Sequence, residues 1–258
     1  MSTSTVVPVS SIPRIGHQEA MAITAEENDR FHRLLAGIEP DQWPLPTDCT
    51  RWDVRDITVH VIATAQAAAS LVEFGRQMWA SRPLTAEIGG VHWVDGLNEA
   101  QLRARTHLTP AELPDLWAAA AARGLRARRR MPRPVRALPL LRLEPGNYKP
   151  LSFLFDMGFT RDTWMHRIDI TRALGEPFPA TAEHDGRIVA DIVADWATTH
   201  TDPFTLQLTG SAGGTYSRTS EPTGETVAID AIDAIDVCRI LSGRGTTPAG
   251  VLEHPFPL

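Results

Sequence analysis

Cysteine is almost missing from this chain, with Cys49 and Cys238 the only two among 258 residues. Two thiols so far apart make neither a disulfide framework nor a cysteine-rich zinc module, so a reducing, cytoplasmic setting is expected. Lysine is scarcer still, with Lys149 the only one. No apolar run reaches the length of a membrane span, so no membrane partner is expected. The opening stretch, MSTSTVVPVSSIPRIGHQ, lacks a leading basic group and a long apolar segment. It reads as a flexible N-terminal extension over 1–19 and not as a signal peptide. Basic charge is in deficit overall: a formal net charge of -6 and a pI near 5.8 give no reason to expect nucleic acid as a partner. Internal repeats and low-complexity tracts are absent as well.

What is present is the composition of a soluble globular protein, 43% hydrophobic and 22% charged, long enough for one large domain or two ordinary ones. From 20 to 37 the apolar residues Phe31, Leu34, Leu35 and Ile38 recur on one helical face. After a proline-broken stretch, Thr50 followed by Asp53 has the spacing of an N-cap box. One long helix is expected from there to about residue 80, with a middle of alanines that lets another helix approach closely. Thr109 with Pro110 predicts the next helix start. MPRPVRALPLLRLEPGNYKP is too rich in proline for regular structure and is expected to be a loop or lid. LSFLFDMGFTRDTWMHRIDITRALG then reads as a long helix ending at Gly175. Four principal helices with one long connection describe an up-and-down bundle over 20–181. Beyond it, a helix, two β-prone segments with Gly-rich turns and a last helix predict an α+β domain over 182–258.

The chemistry concentrates in RDTWMHRIDI. Asp162 and His166 are four residues apart and so share one helix face, and Asp169 continues that face. Such a pair chelates a metal ion or makes an ordinary charge pair; spacing does not decide. A catalytic metal site needs a further ligand from another element and a vacant position. His60, among Val59, Val61 and Ile62, has little reason to be there for solvation alone. A two-histidine, one-aspartate set suits Zn, Ni, Fe or Mn.

WPLPTDCTRWDVRDITVHVIA, followed about a hundred residues later by FTRDTWMHRIDITRALG, resembles the DinB-like superfamily of helical bundles. More narrowly it resembles the mycothiol-dependent maleylpyruvate isomerase family. There a W-x-V-x-D-x-x-x-H segment supplies one histidine ligand and an (E/D)-x-W-x-H-x-x-D segment the other two. Those positions are His60, Asp162 and His166 here, and the family pattern favours Glu at the position of Asp162. LTGSAGGTYSR and DAIDVCRILSGRG resemble the family's C-terminal part. The resemblance implies a mainly α fold with an α+β C-terminal part: a DinB-like four-helix bundle followed by a small sterol-carrier-like α+β domain.

It further implies a divalent metal, Zn foremost with Ni, Mn or Fe as alternatives, and mycothiol as thiol cosubstrate. The enzyme would then activate a small thiol against an electrophilic small molecule, as S-transferase or cis–trans isomerase, acting as a monomer or homodimer. No protein nucleophile is implied. Asp56, Arg161 and Asp169 are candidates to orient a ligand or touch substrate, although Asp169 could equally pair with Arg172 and Asp56 could face solvent. Cys49, beside a helix start and near Arg51, reads as a structural cysteine before a nucleophile. The arginines from Arg123 to Arg142 are either a solvated helix end or a grip for carboxylates. Two other functions stay open: a non-catalytic ligand-binding protein with a structural metal, and a metal-dependent hydrolase using bound water.

Overall fold

The structure is a computed structural model that describes residues 5–90, 92–144, 147–199, 202–218 and 227–245. In chain order the elements begin with β1 (Val6–Pro8), α1 (His17–Ala36), α2 (Val54–Ala69), α3 (Leu71–Ser81), α4 (Leu84–Glu87) and α5 (Trp93–Arg103). There follow α6 (Leu113–Arg130), α7 (Arg133–Arg136), β2 (Leu141–Glu144), β3 (Asn147–Lys149) and α8 (Phe159–Ala173). The chain continues with α9 (Asp185–Thr199), β4 (Phe204–Thr209), β5 (Gly214–Arg218), β6 (Val227–Asp233) and α10 (Ala234–Leu241). The expected class, mainly α with an α+β C-terminal part, is the class observed.

Contacts divide the chain into two compact units, one of 16–177 and one joining 1–15 to 178–258. This departs from the expected boundaries. The N-terminal stretch is not wholly a loose extension, because β1 pairs in parallel with β5, Val6 opposite Thr215 and Pro8 opposite Ser217. Backbone pairing with a strand some two hundred residues away is invisible to local pattern. Of the expected C-terminal domain, 219–226 and 246–258 lie outside the described residues.

In the helical unit α1, α2, α6 and α8 are the principal helices. Phe31 of α1 meets Trp117 of α6 edge to face at 4.8 Å, and the Trp117 indole donates to the Asn28 carbonyl at 3.1 Å. Val54, Ile57, Val61 and Ile62 of α2 complete this core. Full burial of each such side chain contributes about 1.5–3 kcal/mol. The alanine face of α2 does receive α6 closely: a Cβ on Gly124 would lie 3.0 Å from the Ala65 carbonyl oxygen and 3.7 Å from Ala68 Cβ.

Three expectations are corrected here. The cap of α2 is Asp53, whose carboxylate accepts the Asp56 N–H at 2.8 Å, and not Thr50. The single long helix is two, because Ser70 is extended (φ -153°, ψ 119°) and its hydroxyl accepts the Glu73 N–H at 3.3 Å to start α3. Serine bonds its own backbone readily and so favours caps over helix interiors. The proline-rich stretch is not irregular: it holds α7 and the antiparallel pair β2–β3, Leu141 opposite Lys149. Thr109 caps as expected, in a reciprocal box with Glu112.

The segment Phe153–Gly158 winds as a π-helical turn before α8. Buried Arg128 donates to the carbonyls of Phe155 and Asp156 and to the hydroxyls of Thr24 and Thr160. Backbone groups that the wider turn leaves over are thereby paired. Burial lowers the Arg128 pKa to about 10, which still leaves it charged at neutral pH. Gly175, at φ +72°, ends α8 as expected: its N–H bonds Arg172 O and the Glu176 N–H bonds Thr171 O.

The other unit is a sheet of order β1-β5-β4-β6 with α9 and α10. Strands β4 and β5 form an antiparallel hairpin and β6 lies parallel to β4. Trp196 of α9 meets Phe204 of β4 edge to face at 4.8 Å, and Val237, Cys238 and Leu241 of α10 are buried. Cys238 therefore packs, as its helix pattern predicts. No helix among the described residues is long and apolar enough to cross a membrane.

Candidate metal centre

Helix α2 carries His60 two turns beyond its Asp53 cap, and α8 carries Asp162 and His166 one turn apart. The three come together. Their ligand atoms all lie within 4.8 Å of one another. His60 Nε2 is 3.4 Å from Asp162 Oδ2, and His166 Nε2 is 3.5 Å from Asp162 Oδ1. These separations are long for strong hydrogen bonds. They suit donors sharing one ion, since ligands about 2.0–2.1 Å from a tetrahedral zinc lie about 3.3–3.4 Å apart. Both imidazoles are buried, and their rings meet edge to face at 5.0 Å. Trp52 leans over the pair, its ring 5.0 Å from His60 and 6.0 Å from His166.

Each imidazole is tied at its other nitrogen. His166 Nδ1 donates to Asp169 Oδ2 at 2.9 Å, and Asp169 is completely buried. Asp169 thus meets the histidine, while Arg172 pairs with Asp48. His60 Nδ1 donates to Gln101 Oε1 at 2.7 Å. Gln101 Nε2 donates to Gln77 Oε1 at 2.8 Å, and Gln77 Nε2 donates to Glu73 Oε1 at 2.9 Å and to Ala63 O at 3.0 Å. This chain has a direction. Hydrogen bonds from Arg76 above all hold the Glu73 carboxyl down to a pKa of about 2, so it only accepts at neutral pH. Both amides must then point their NH2 groups toward Glu73 and their oxygens toward His60. His60 Nδ1 must therefore carry a proton, and in the neutral tautomer this selects, Nε2 is the lone-pair nitrogen facing Asp162. Ligating histidines are oriented by such outer bonds.

Burial lowers the His166 pKa, against the opposing pull of Asp162 and Asp169. An imidazole with a folded pKa below its unfolded 6.5 binds fewer protons when folded. Its contribution to stability is therefore complete above about pH 6.5 and falls as pH drops toward the folded value. The neutral form persists to lower pH than in an ordinary histidine.

Cys49, His166 and Asp169 form a second convergent group, with Cys49 Sγ 3.5 Å from Asp169 Oδ2. It shares His166 with the first group, and its Asp169 already takes the His166 Nδ1–H bond, so it reads as support behind that group. Cys49 is half-buried and contributes a thiol to Asp169. Asp56 lies 3.3 Å from the Arg55 guanidinium and makes no bond to His60; Arg161 is buried in α8. Trp164 and Met165 are core residues. Gln77, Gln101 and Trp52 escaped the sequence reading. The first two sit on helices that share no motif with the ligands, and Trp52 alone lies inside a segment already singled out.

The sequence profile of the family described as mycothiol maleylpyruvate isomerase N-terminal domain matches residues 24–171. Two solved structures are similar in fold. One is the mycothiol-dependent maleylpyruvate isomerase, at 19% identity and a TM-score of 0.59 over 93% of each chain. The other is a histidine-to-alanine mutant of the mycothiol-dependent maleylpyruvate isomerase, at 17% identity, a TM-score of 0.59 and the same coverage. No curated protein sequence matches the chain. On the profile, which spans more than half of its length, the chain belongs to the mycothiol maleylpyruvate isomerase N-terminal domain family.

Proposed function

We propose that this protein is a cytoplasmic, metal-dependent enzyme that activates mycothiol for attack on a small electrophile, as an isomerase of the maleylpyruvate type or as a thiol S-transferase. The observation that carries the reading is the pair of buried Nε2 atoms and the Asp162 carboxylate converging within 4.8 Å. His60, Asp162 and His166 would hold a divalent ion, zinc foremost. Such an ion supplies the positive charge that lowers the pKa of a coordinated thiol and makes a thiolate available at neutral pH. The chain's own part is to fix the tautomer and orientation of both imidazoles through Gln101 and Asp169, with each Nε2 turned to Asp162, and to shield their rings on one side with Trp52. In an isomerisation the C–S bond forms, the former double bond rotates, and the C–S bond breaks again. In an S-transfer the C–S bond stays and a leaving group departs. The two differ in the substrate and not in the ligands.

The test is metal content by mass spectrometry after mild chelation and reloading with Zn, Ni, Mn or Fe, followed by turnover of maleylpyruvate with and without mycothiol. About one equivalent of a divalent ion, and turnover that needs both ion and thiol, are expected. Turnover without thiol would favour a metal-bound-water hydrolase, and a metal-free protein would end the reading. Gln101→Leu removes the acceptor for His60 Nδ1–H and should weaken metal affinity about tenfold to a hundredfold, read by competition with a chromogenic chelator. Unchanged affinity would mean that the amide chain does not hold the ligand.

A further inference from the structure

A concavity opens in the helical unit, and none of the three candidate ligands lines it. It is an open depression of about 620 Å³ lined by five arginines, Arg76, Arg105, Arg123, Arg126 and Arg130, against one carboxylate, Glu73. Two of the arginines are fixed. Arg105 is buried, donating to Gln66 Oε1 at 2.6 Å and to Gln101 O at 3.0 Å, and Arg76 grips Glu73 with two bonds of 2.7 Å. The other three stand at i, i+3 and i+7 on one face of α6, whereas Arg128, between them in sequence, turns into the core. Arg123, Arg126 and Arg130 make no ion pair with any described carboxylate. Like charges stacked on one helix face oppose the helix, and the lone Glu73 is already committed to Arg76. An arrangement that costs the apoprotein in this way is relieved by an anion.

We propose that this arginine-lined cavity is a binding site for a small polyanion, one bearing two or more phosphate or carboxylate groups, distinct from the metal centre. Guanidinium forks match both groups in bidentate fashion. A small molecule fits better than nucleic acid: the site is concave, its lining has no aromatic ring on which a base could stack, and the protein as a whole is acidic. The site does not depend on the function proposed above, yet it touches it. Glu73, which anchors Arg76, also ends the amide chain that orients His60.

The experiment is titration calorimetry at constant ionic strength, with fructose 1,6-bisphosphate and tricarballylate as probes. Wild type is compared with Arg123→Ala/Arg126→Ala, two exposed side chains outside every hydrogen-bond network described above. Both proteins are measured metal-loaded and after chelation, which separates this site from the metal centre. Saturable binding by either probe, weakened at least tenfold in the double variant and the same with and without metal, is expected. Preference for one probe identifies phosphate or carboxylate as the group recognised. Equal binding by both proteins, no binding of either probe, or binding only to an RNA oligonucleotide or to anionic vesicles overturns the proposal.

Discussion

Alanine in place of His60 is expected to lower metal affinity by about 100-fold or more, beyond the range that loss of an outer-shell partner produces. The residue is buried and contributes the one proposed ligand from α2, while Asp162 and His166 both come from α8. Two donors on one helix, without the third, leave an ion mostly solvated. The variant also leaves Gln101 Oε1 without its donor, at a cost of about 1–3 kcal/mol in folding stability. Unfolding must therefore be followed alongside metal content. A folded variant that is metal-poor, beside a metal-replete wild type, supports a centre shared between two helices. Equal metal in both proteins would reduce His60, Asp162 and His166 to a packing cluster and bring the binding-protein reading forward.

The largest effect on stability is expected at Arg167. Its guanidinium bonds Glu27 through Nε at 2.7 Å and Nη2 at 3.1 Å, and both side chains are almost wholly buried. This pair fastens α8 to α1. Arg167→Met leaves a buried carboxylate without that partner, and breaking such a pair costs about 3–5 kcal/mol. Glu27→Leu combined with Arg167→Met removes both charges and should recover most of the loss. Urea denaturation of the three variants reads the difference. A single variant within about 1 kcal/mol of wild type would show that the pair contributes little. Since α8 carries Asp162 and His166, the pair also holds those residues in register with α2.

How much was legible follows from how local each signal is. The i,i+4 spacing of Asp162 and His166 needs only one helix to be meaningful, and an imidazole among Val59, Val61 and Ile62 is conspicuous in any window. Gln101 and Gln77 are ordinary helix residues whose role exists only once α5 and α3 have folded against α2. Asp169 could be narrowed to two partners, His166 or Arg172, and geometry chose the histidine because Arg172 reaches Asp48. The break at Ser70 is hard to read because the alanine-rich stretch before it propagates helix well, and a single capping hydroxyl is a weak signal against it. Strand β1 was missed for the opposite reason, since its partner β5 lies at the far end of the chain. The arginine-rich segment gave its charge but not its division of labour. Arg128 goes to the core, Arg136 to Asp156, and three others to a cavity.

The one-way file of amides from His60 to Glu73 bears on what a minimal transplant of this centre would require. Copying the three candidate ligands onto another four-helix scaffold would reproduce their spacing and lose the instruction that places the proton on His60 Nδ1. That instruction resides in a carboxylate on a different helix, reached because Ser70 ends α2 and lets α3 begin on a new course. A working graft would have to carry α3 and α5 along with the ligands, so the heritable unit of this centre is larger than its motif.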